Sequence, residues 1–462
     1  MRGLFRRIIL LSVLLVVLLA GIGFLRGALA AIAAQELPER VEAPTLRDPP
    51  TGIGENLSVR VAVLGPGDEL YFWWGHIAII IEDSATGRSD FFDYGLFSFD
   101  QQNFFANFAL GRLIYSTGVS ATWDNLAGYM LQNRDVVLYT LDIPPDAREM
   151  ILRQARWDVL PGNRDYLYHH FHHNCATPLI GLIDMATGGQ FSERFMNEPA
   201  RHTFRGHVRR HTWHSPFIDW ILNFWMGQDI DRPITAWDEM FLPSEVARNI
   251  ADFEFVDTDG VTRRLVSHRE EVFLSTGRPA VLDEPRLQWP RQLGFSLFLC
   301  ALLALLFLAQ ARTPPGHGRL PAVAQVSLGI FHSICGLVLG GAGLVLFFMA
   351  NFTEHDYTFS NANLLFASPL LLALVPLGLR YASAGNFGRR ARPELAIRTI
   401  WFLSALGVTA SMLMRLSSRF WQDNLTDQLL VLPLALVLSL EPAGLKRVLG
   451  RVFWARRVDA RL

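Results

Sequence analysis

Few folds can accommodate the way apolar residues are distributed along this chain. One apolar run lies near the N-terminus, Ile8 to about Leu25, and five more follow Gln292, at about Leu293–Gln310, Val326–Ala350, Leu364–Leu379, Ile397–Met414 and Gln428–Leu440. Most approach the roughly 20 residues a helix needs to cross a bilayer, and the last is the shortest. Between the first run and the second lie about 250 residues of ordinary charge density, rich in turn residues and without a spanning segment. That is the length of a folded domain. The composition, 462 residues at 50% hydrophobic and 18% charged, is too apolar for an ordinary soluble protein, and these runs carry the excess.

Loop charge gives an orientation, because Lys and Arg beside spanning helices are retained on the cytoplasmic side. Arg2, Arg6 and Arg7 precede the first run. If every run spans, the inner loops carry Arg312, His317 and Arg319, then Arg380, Arg389, Arg390 and Arg392, and the tail carries Lys446, Arg447, Arg451, Arg456 and Arg457. The outer loops, Asn351–Asn363 and Leu416–Asp427, are short of basic residues, and the first has Glu354 and Asp356 with no Lys or Arg. Six spans with both termini cytoplasmic satisfy every loop. A rival reading takes the small residues of Ala28–Ala34 as a signal-peptidase site that removes the first helix, leaving the large domain on the same side. The expected organisation is an N-terminal transmembrane helix or signal anchor (1–34), an extracytoplasmic domain (35–291) and a five-helix membrane domain with a cytoplasmic tail (292–462). Pro38–Pro50 and Pro279–Pro290 mark the boundaries.

A net charge of −1 implies no polyanionic partner, and nothing forms a nucleic-acid footprint. Cysteine usage says more. An extracytoplasmic domain faces an oxidising compartment, yet it holds one cysteine, Cys175, with no intradomain partner. Cys300 and Cys335 lie in apolar runs and read as packing. An unpaired thiol outside the cell is a liability unless it has work to do, so Cys175 is the first candidate for chemistry.

Cys175 follows Tyr166-Leu167-Tyr168-His169-His170-Phe171-His172-His173-Asn174, and Cys175–Met185 has helical apolar spacing with Asn174 as an N-cap type. A helix N-terminus favours a thiolate, and its amides can cradle an oxyanion. The plain structural alternative is a buried cysteine that starts a core helix. A thiolate nucleophile needs a base, and His76 is best placed. It opens the β-branched run Ile77-Ala78-Ile79-Ile80-Ile81-Glu82, which turns through Ser84-Ala85-Thr86-Gly87 into Ser89–Tyr94. Asp93 and Tyr94, at the end of that second strand, can hold the imidazole's other nitrogen. Against this, a lone histidine at a strand start is more often structural. The aromatic stretch Asp68–Gly75 before it resembles the rim of a lipid-facing cleft. The cluster His169, His170, His172 and His173 has no second ligand group at metal spacing and reads as a polar, partly exposed wall; no metal or cofactor is expected. Arg201–His214, four histidines among four arginines, reads as a solvated surface or a contact for lipid headgroups.

The fold class expected for the outer domain is α+β. Its antiparallel sheet includes about Val59–Leu64, His76–Glu82, Phe91–Tyr94 and Val136–Leu141, with the helix from Cys175 packed on it. A further helix is expected over Pro144–Leu160 and a hairpin around Asp257-Thr258-Asp259-Gly260.

The chain resembles the Lnb-type lipoprotein N-acyltransferases, which pair an extracytoplasmic domain with a five-helix membrane domain. The residues that carry the resemblance are Trp74-Gly75-His76, Asp93-Tyr94-Gly95, Asn163-Arg164-Asp165-Tyr166, His173-Asn174-Cys175-Ala176-Thr177, Met226-Gly227-Gln228-Asp229 and Glu239-Met240-Phe241-Leu242-Pro243. It continues in His355, Thr358, Asn361 and Asn363 before Leu364-Leu365, and so covers the chain from about Val59 to the last run. That family looks like a circularly permuted papain-type thiol fold, related to the NlpC-like enzymes, in which histidine precedes cysteine. The resemblance implies Cys175 as nucleophile, His76 as base and Asp93 as third member, with Tyr94 or Asn174 as alternatives for that position. His173, His355 and Asn363 are candidate supporting residues. It implies acyl transfer from a membrane phospholipid or a lipoprotein's diacylglycerol, through a Cys175 thioester, to the N-terminal amine of bacterial diacylglyceryl-cysteine lipoproteins, at the periplasmic face of the cytoplasmic (inner) membrane. Two other classes stand beside it: a membrane-tethered cysteine peptidase or amidase acting on cell-wall peptides, and a non-enzymatic membrane scaffold.

Overall fold

The computed structural model describes residues 50–100, 103–311, 319–384 and 387–440. The N-terminal apolar run, the Ala28–Ala34 alternative, the first proline boundary up to residue 49 and the basic C-terminal tail lie outside the described residues, as do Arg312 and His317. The chain divides into two compact units. The first is the described chain through His214 together with Pro233–Asp283; the second is Ser215–Arg232 together with the described residues from Glu284 onward.

The first unit is a mixed α/β fold. In chain order it comprises β1 (Leu57–Leu64), β2 (His76–Asp83), β3 (Arg88–Leu96), α1 (Phe104–Leu110), β4 (Leu113–Ala121), α2 (Thr122–Leu131), β5 (Val136–Leu141), α3 (Pro145–Asp158) and β6 (Asp165–Tyr168). There follow α4 (Thr177–Ala186), α5 (Gln190–Phe195) and α6 (Phe204–Thr212). After α7 (Pro216–Trp225), which belongs to the second unit, come α8 (Ala236–Glu239), α9 (Pro243–Ala251), a small hairpin of β7 (Glu254–Val256) and β8 (Thr262–Arg264), and β9 (Val266–Phe273). Seven strands form one antiparallel sheet in the order β6-β4-β3-β2-β1-β5-β9. The four expected strands, the helix after Pro144 and the Asp257–Gly260 hairpin are all present.

Strand alternation divides the core in two. Val59, Val61, Ile77, Ile79, Phe92 and Tyr94 face the helices α3, α4 and α9, packing against Ile151, Leu179, Ile183 and Val246. The opposite face carries Ala62, Leu64, Ala78, Ile80, Phe91 and Leu138 and is covered by α2 through Leu126, Tyr129 and Met130. Each such fully buried aliphatic or aromatic side chain contributes about 1.5–3 kcal/mol of hydrophobic stabilisation. Gly75 sets the entry to β2. Its φ of 76° lies in the left-handed region, and a Cβ there would stand 2.8 Å from the Leu64 carbonyl oxygen, so only glycine delivers His76 to the start of the strand.

The second unit is helical. After α7 come α10 (Trp289–Ala311), α11 (Arg319–Phe352), α12 (Leu374–Ser383), α13 (Phe387–Met414) and α14 (Leu425–Ser439). Four stretches among the described residues are long and apolar enough to cross a membrane: Trp289–Gln310, Leu320–Phe352, Ala362–Ser383 and Pro393–Met414. The last apolar helix, Leu425–Ser439, has 15 residues and is shorter than a simple span requires. The third run is not one continuous α-helix. It opens as 3-10 turns, Ala362–Leu365 and Pro369–Ala373, before α12, because Pro369 cannot donate to a preceding turn. Gly340 and Gly343 of α11 let this irregular backbone approach, since a Cβ on Gly343 would collide with the Ala367 carbonyl.

Candidate active site

Cys175 is buried and unpaired, just before α4. The helix begins two residues later than its apolar spacing predicts, with Thr177 as its first residue. The cause is Asn174. Its Oδ1 accepts from the Ala176 and Thr177 amides at 2.9 and 3.3 Å, and its own amide donates to Thr177 Oγ1 at 3.0 Å. Asn174 Nδ2 meanwhile donates to the carbonyls of His170 and Phe241. Asn174 thus pins the turn before the helix and the loop, and two of the amides at this end of the helix are already engaged.

His76 and Asp93 come from neighbouring strands. Asp93 lies directly across from Ala78, two residues along from His76, so both side chains lie on the face covered by α2. His76 Nε2 and Asp93 Oδ1 are 2.5 Å apart. That bond uses Nε2 and leaves Nδ1 as the ring nitrogen not tied to Asp93. Tyr94 takes the opposite face, where its hydroxyl donates to Asp158 Oδ2 at 2.7 Å. Of the three residues considered for the position beside the imidazole, Asp93 is the one that bonds it.

Burial alone would lower the pKa of His76, but the Asp93 carboxylate, with further electrostatic contributions from Tyr129 and Cys175, outweighs it and raises His76 well above its ordinary value. Cys175 is therefore near enough to act on the imidazole. The approach is made at a kink in β3. Pairing with β4 shifts register between Tyr94 and Leu96, and Gly95 has φ 87°, with a Cβ position 3.4 Å from the Cys175 Cβ and 3.5 Å from the Tyr168 ring.

Sequence reasoning missed two residues here. Tyr129 of α2 stacks on His76 at 6.1 Å between ring centroids. Arg134, fully buried, lies over the Tyr129 ring at 4.7 Å and the Phe72 ring at 4.4 Å, and its Nε donates to the Gly65 carbonyl. Asn133, with φ 52°, ends α2 in the left-handed conformation that asparagine tolerates, and the Arg134 amide turns back to the Tyr129 carbonyl at 3.1 Å. A tyrosine inside a helix and an arginine after a turn form no motif, so nothing in the sequence marked them.

The histidine cluster is a loop with polar duties. His169 Nδ1 accepts from the Phe171 and His172 amides, and His173 Nδ1 bonds the Leu167 carbonyl at 3.1 Å while its ring packs on Tyr166. His170, His172 and His173 are exposed, as a polar wall requires. Arg201–His214 is not a solvated surface: Arg205, His207, Arg210 and His211 are buried. Arg210 Nη1 donates to His207 Nδ1 at 2.8 Å and to Glu245 Oε1 at 3.0 Å, so the imidazole accepts at Nδ1 and donates from Nε2 to Glu239 at 2.7 Å. Burial keeps this ring neutral by lowering its pKa. His207, Glu239 and Glu245 are grouped closely enough to hold a cation, but guanidinium groups occupy that role, with Arg201 and Arg248 also near Glu245. A cavity of about 460 Å³ in the first unit, bordered by Met150, Met185 and Phe255, includes none of the candidate residues in its lining.

His355 and Asn363 belong to the second unit. His355 Nδ1 bonds the Tyr357 hydroxyl at 2.7 Å. Asn361 and Asn363 donate to the Phe224 carbonyl, and Asn361 also to that of Trp225, capping the C-terminal end of α7. Asp427 accepts from Asn363 and from the Trp220 indole.

Residues 54–209 match the family model described as the Lnb N-terminal periplasmic domain, consistent with the Lnb-type lipoprotein N-acyltransferase family. No curated protein and no solved structure matches the chain. The matched span contains Cys175, His76, Asp93, Tyr129 and Arg134.

Proposed function

We propose that this chain, an Lnb-type periplasmic domain followed by helices able to cross a membrane, is a lipoprotein N-acyltransferase that uses Cys175 as its nucleophile. The observation that carries the reading is the His76–Asp93 pair beside the buried, unpaired Cys175. The Cys175 thiolate attacks the ester carbonyl carbon of a glycerolipid, His76 gives its proton to the departing glycerol oxygen, and a thioester remains. The α-amine of a diacylglyceryl-cysteine lipoprotein then attacks the thioester carbon, the thiolate leaves, and His76 takes the proton released by the amine. Asp93 orients the imidazole and stabilises its charged form. A thioester suits this exchange, because it is readily aminolysed while a glycerol ester is not. The domain is read as a permuted papain-like fold at the periplasmic face of the bacterial inner membrane, where both lipid substrates are held.

The acyl-enzyme is the testable intermediate. Full-length protein in detergent, incubated with phospholipid or diacylglyceryl peptide and without acceptor amine, should gain one acyl chain at Cys175 by mass spectrometry, removable by neutral hydroxylamine. A protein that stays unmodified with both donors refutes the proposal. The peptidase reading predicts instead the release of soluble peptide fragments with no acylation of Cys175.

A further inference from the structure

The proposed thioester chemistry lacks one part. When the thiolate bonds to the ester carbon, the carbonyl π electrons move to oxygen, and the resulting oxyanion needs hydrogen-bond donors until it collapses and expels the glycerol oxygen. The amides of the α4 turn do not meet this need alone. Ala176 and Thr177 donate to Asn174 Oδ1, and Pro178 has no N–H, so of these residues the Cys175 amide is the donor that no described residue engages.

The geometry points to Tyr129 as a further catalytic residue, whose phenol hydroxyl, backed by the Arg134 guanidinium, donates to the oxyanion formed at Cys175; this rests on the thioester reading. Tyr129 stacks on His76, and its hydroxyl lies within electrostatic reach of His76, Asp93 and Cys175, with no hydrogen bond to any described residue. Burial holds the phenol above its ordinary pKa, so it carries the proton it must donate. Among the described residues no carboxylate pairs with the Arg134 guanidinium. Nη1 and Nη2 are buried and have no hydrogen-bond partner among the described residues, and the cation faces the Tyr129 ring. Leaving four N–H bonds of a buried cation unmet is costly unless the site uses the charge. A positive charge behind a phenol strengthens it as a donor to a developing anion, and it acts on Cys175 and Asp93 as well.

Tyr129→Phe separates this role from a structural one, because phenylalanine keeps the ring that stacks on His76 and removes only the hydroxyl. Two reactions of Cys175 are compared in the full-length protein in detergent: single-turnover acylation by a p-nitrophenyl ester, which passes through an oxyanion, and alkylation by iodoacetamide, which does not. Tyr129→Phe should slow acylation by roughly 100- to 1,000-fold while alkylation stays within about twofold of wild type. Arg134→Met should show the same selective loss in smaller measure, with Arg134→Lys restoring part of it. Acylation of Tyr129→Phe at the wild-type rate, or equal loss in both reactions, overturns the inference and leaves the thioester reading standing. A wild-type Cys175 that alkylates but accepts no acyl group overturns both.

Discussion

The residue with the most at stake is Asp93, because its carboxylate is the largest of the influences that raise the pKa of His76 against the opposing effect of burial. A group whose folded value exceeds its unfolded value contributes stability that is fully present below the unfolded value, near 6.5, and is lost as pH rises through the folded value. Asp93→Asn should therefore lower the His76 titration midpoint seen by NMR. It should also narrow the stability gap to wild type as pH rises through the wild-type His76 value. An unchanged midpoint in Asp93→Asn would show that the carboxylate does not set the imidazole's charge. His76 and Cys175 were legible as single residues, the first from the β-branched run it opens and the second from its solitude. Asp93 was separable from Tyr94 only through strand alternation, which sends the two to opposite faces. Tyr129 and Arg134 were invisible, because their meaning comes from the turn at Asn133 that folds one side chain onto the other.

At the scale of elements, the β2–β3 hairpin announced itself through alternation and a glycine turn, whereas β9 did not. Its sequence, Val266 to Phe273, carries His268, Arg269, Glu270 and Glu271 on an exposed sheet edge, where charge protects against edge-to-edge pairing and erases the hydrophobic signal. The polar core of α6 was missed for the converse reason: arginine and histidine read as surface until Glu239 and Glu245 are seen to pair with them. Gly75→Ala should destabilise the fold by roughly 1–3 kcal/mol, measured by chemical denaturation, because the left-handed conformation and the Leu64 carbonyl both exclude a Cβ. A neutral effect would mean that β2 can start elsewhere. Asn363→Leu should strip a cap from α7 and speed hydrogen exchange in the last turn of Pro216–Trp225, at a stability cost of about 1–3 kcal/mol. Unaltered exchange there would show that the cap does not hold the helix.

At the scale of the whole molecule, sequence reading recovered a mixed α/β domain followed by apolar helices. It did not foresee that Ser215–Arg232, embedded in the sequence of the outer segment, packs with the helical unit. Trp220, Ile221, Phe224 and Trp225 of α7 join the core of that unit, so a fragment ending at residue 283 should expose them and aggregate without detergent. A soluble, monomeric fragment that cleaves cell-wall peptides would favour the peptidase alternative instead. If Cys175 moves an acyl chain onto lipoproteins, as proposed, the lipoproteins themselves record it. The most direct measurement is mass spectrometry of lipoprotein N-termini from a host that lacks other N-acyltransferase activity and expresses either this protein or its Cys175→Ser variant. N-acylated termini are expected with the wild-type chain and free α-amines with Cys175→Ser; N-acylation that persists with Cys175→Ser, or is absent with both, would refute the proposed role of Cys175.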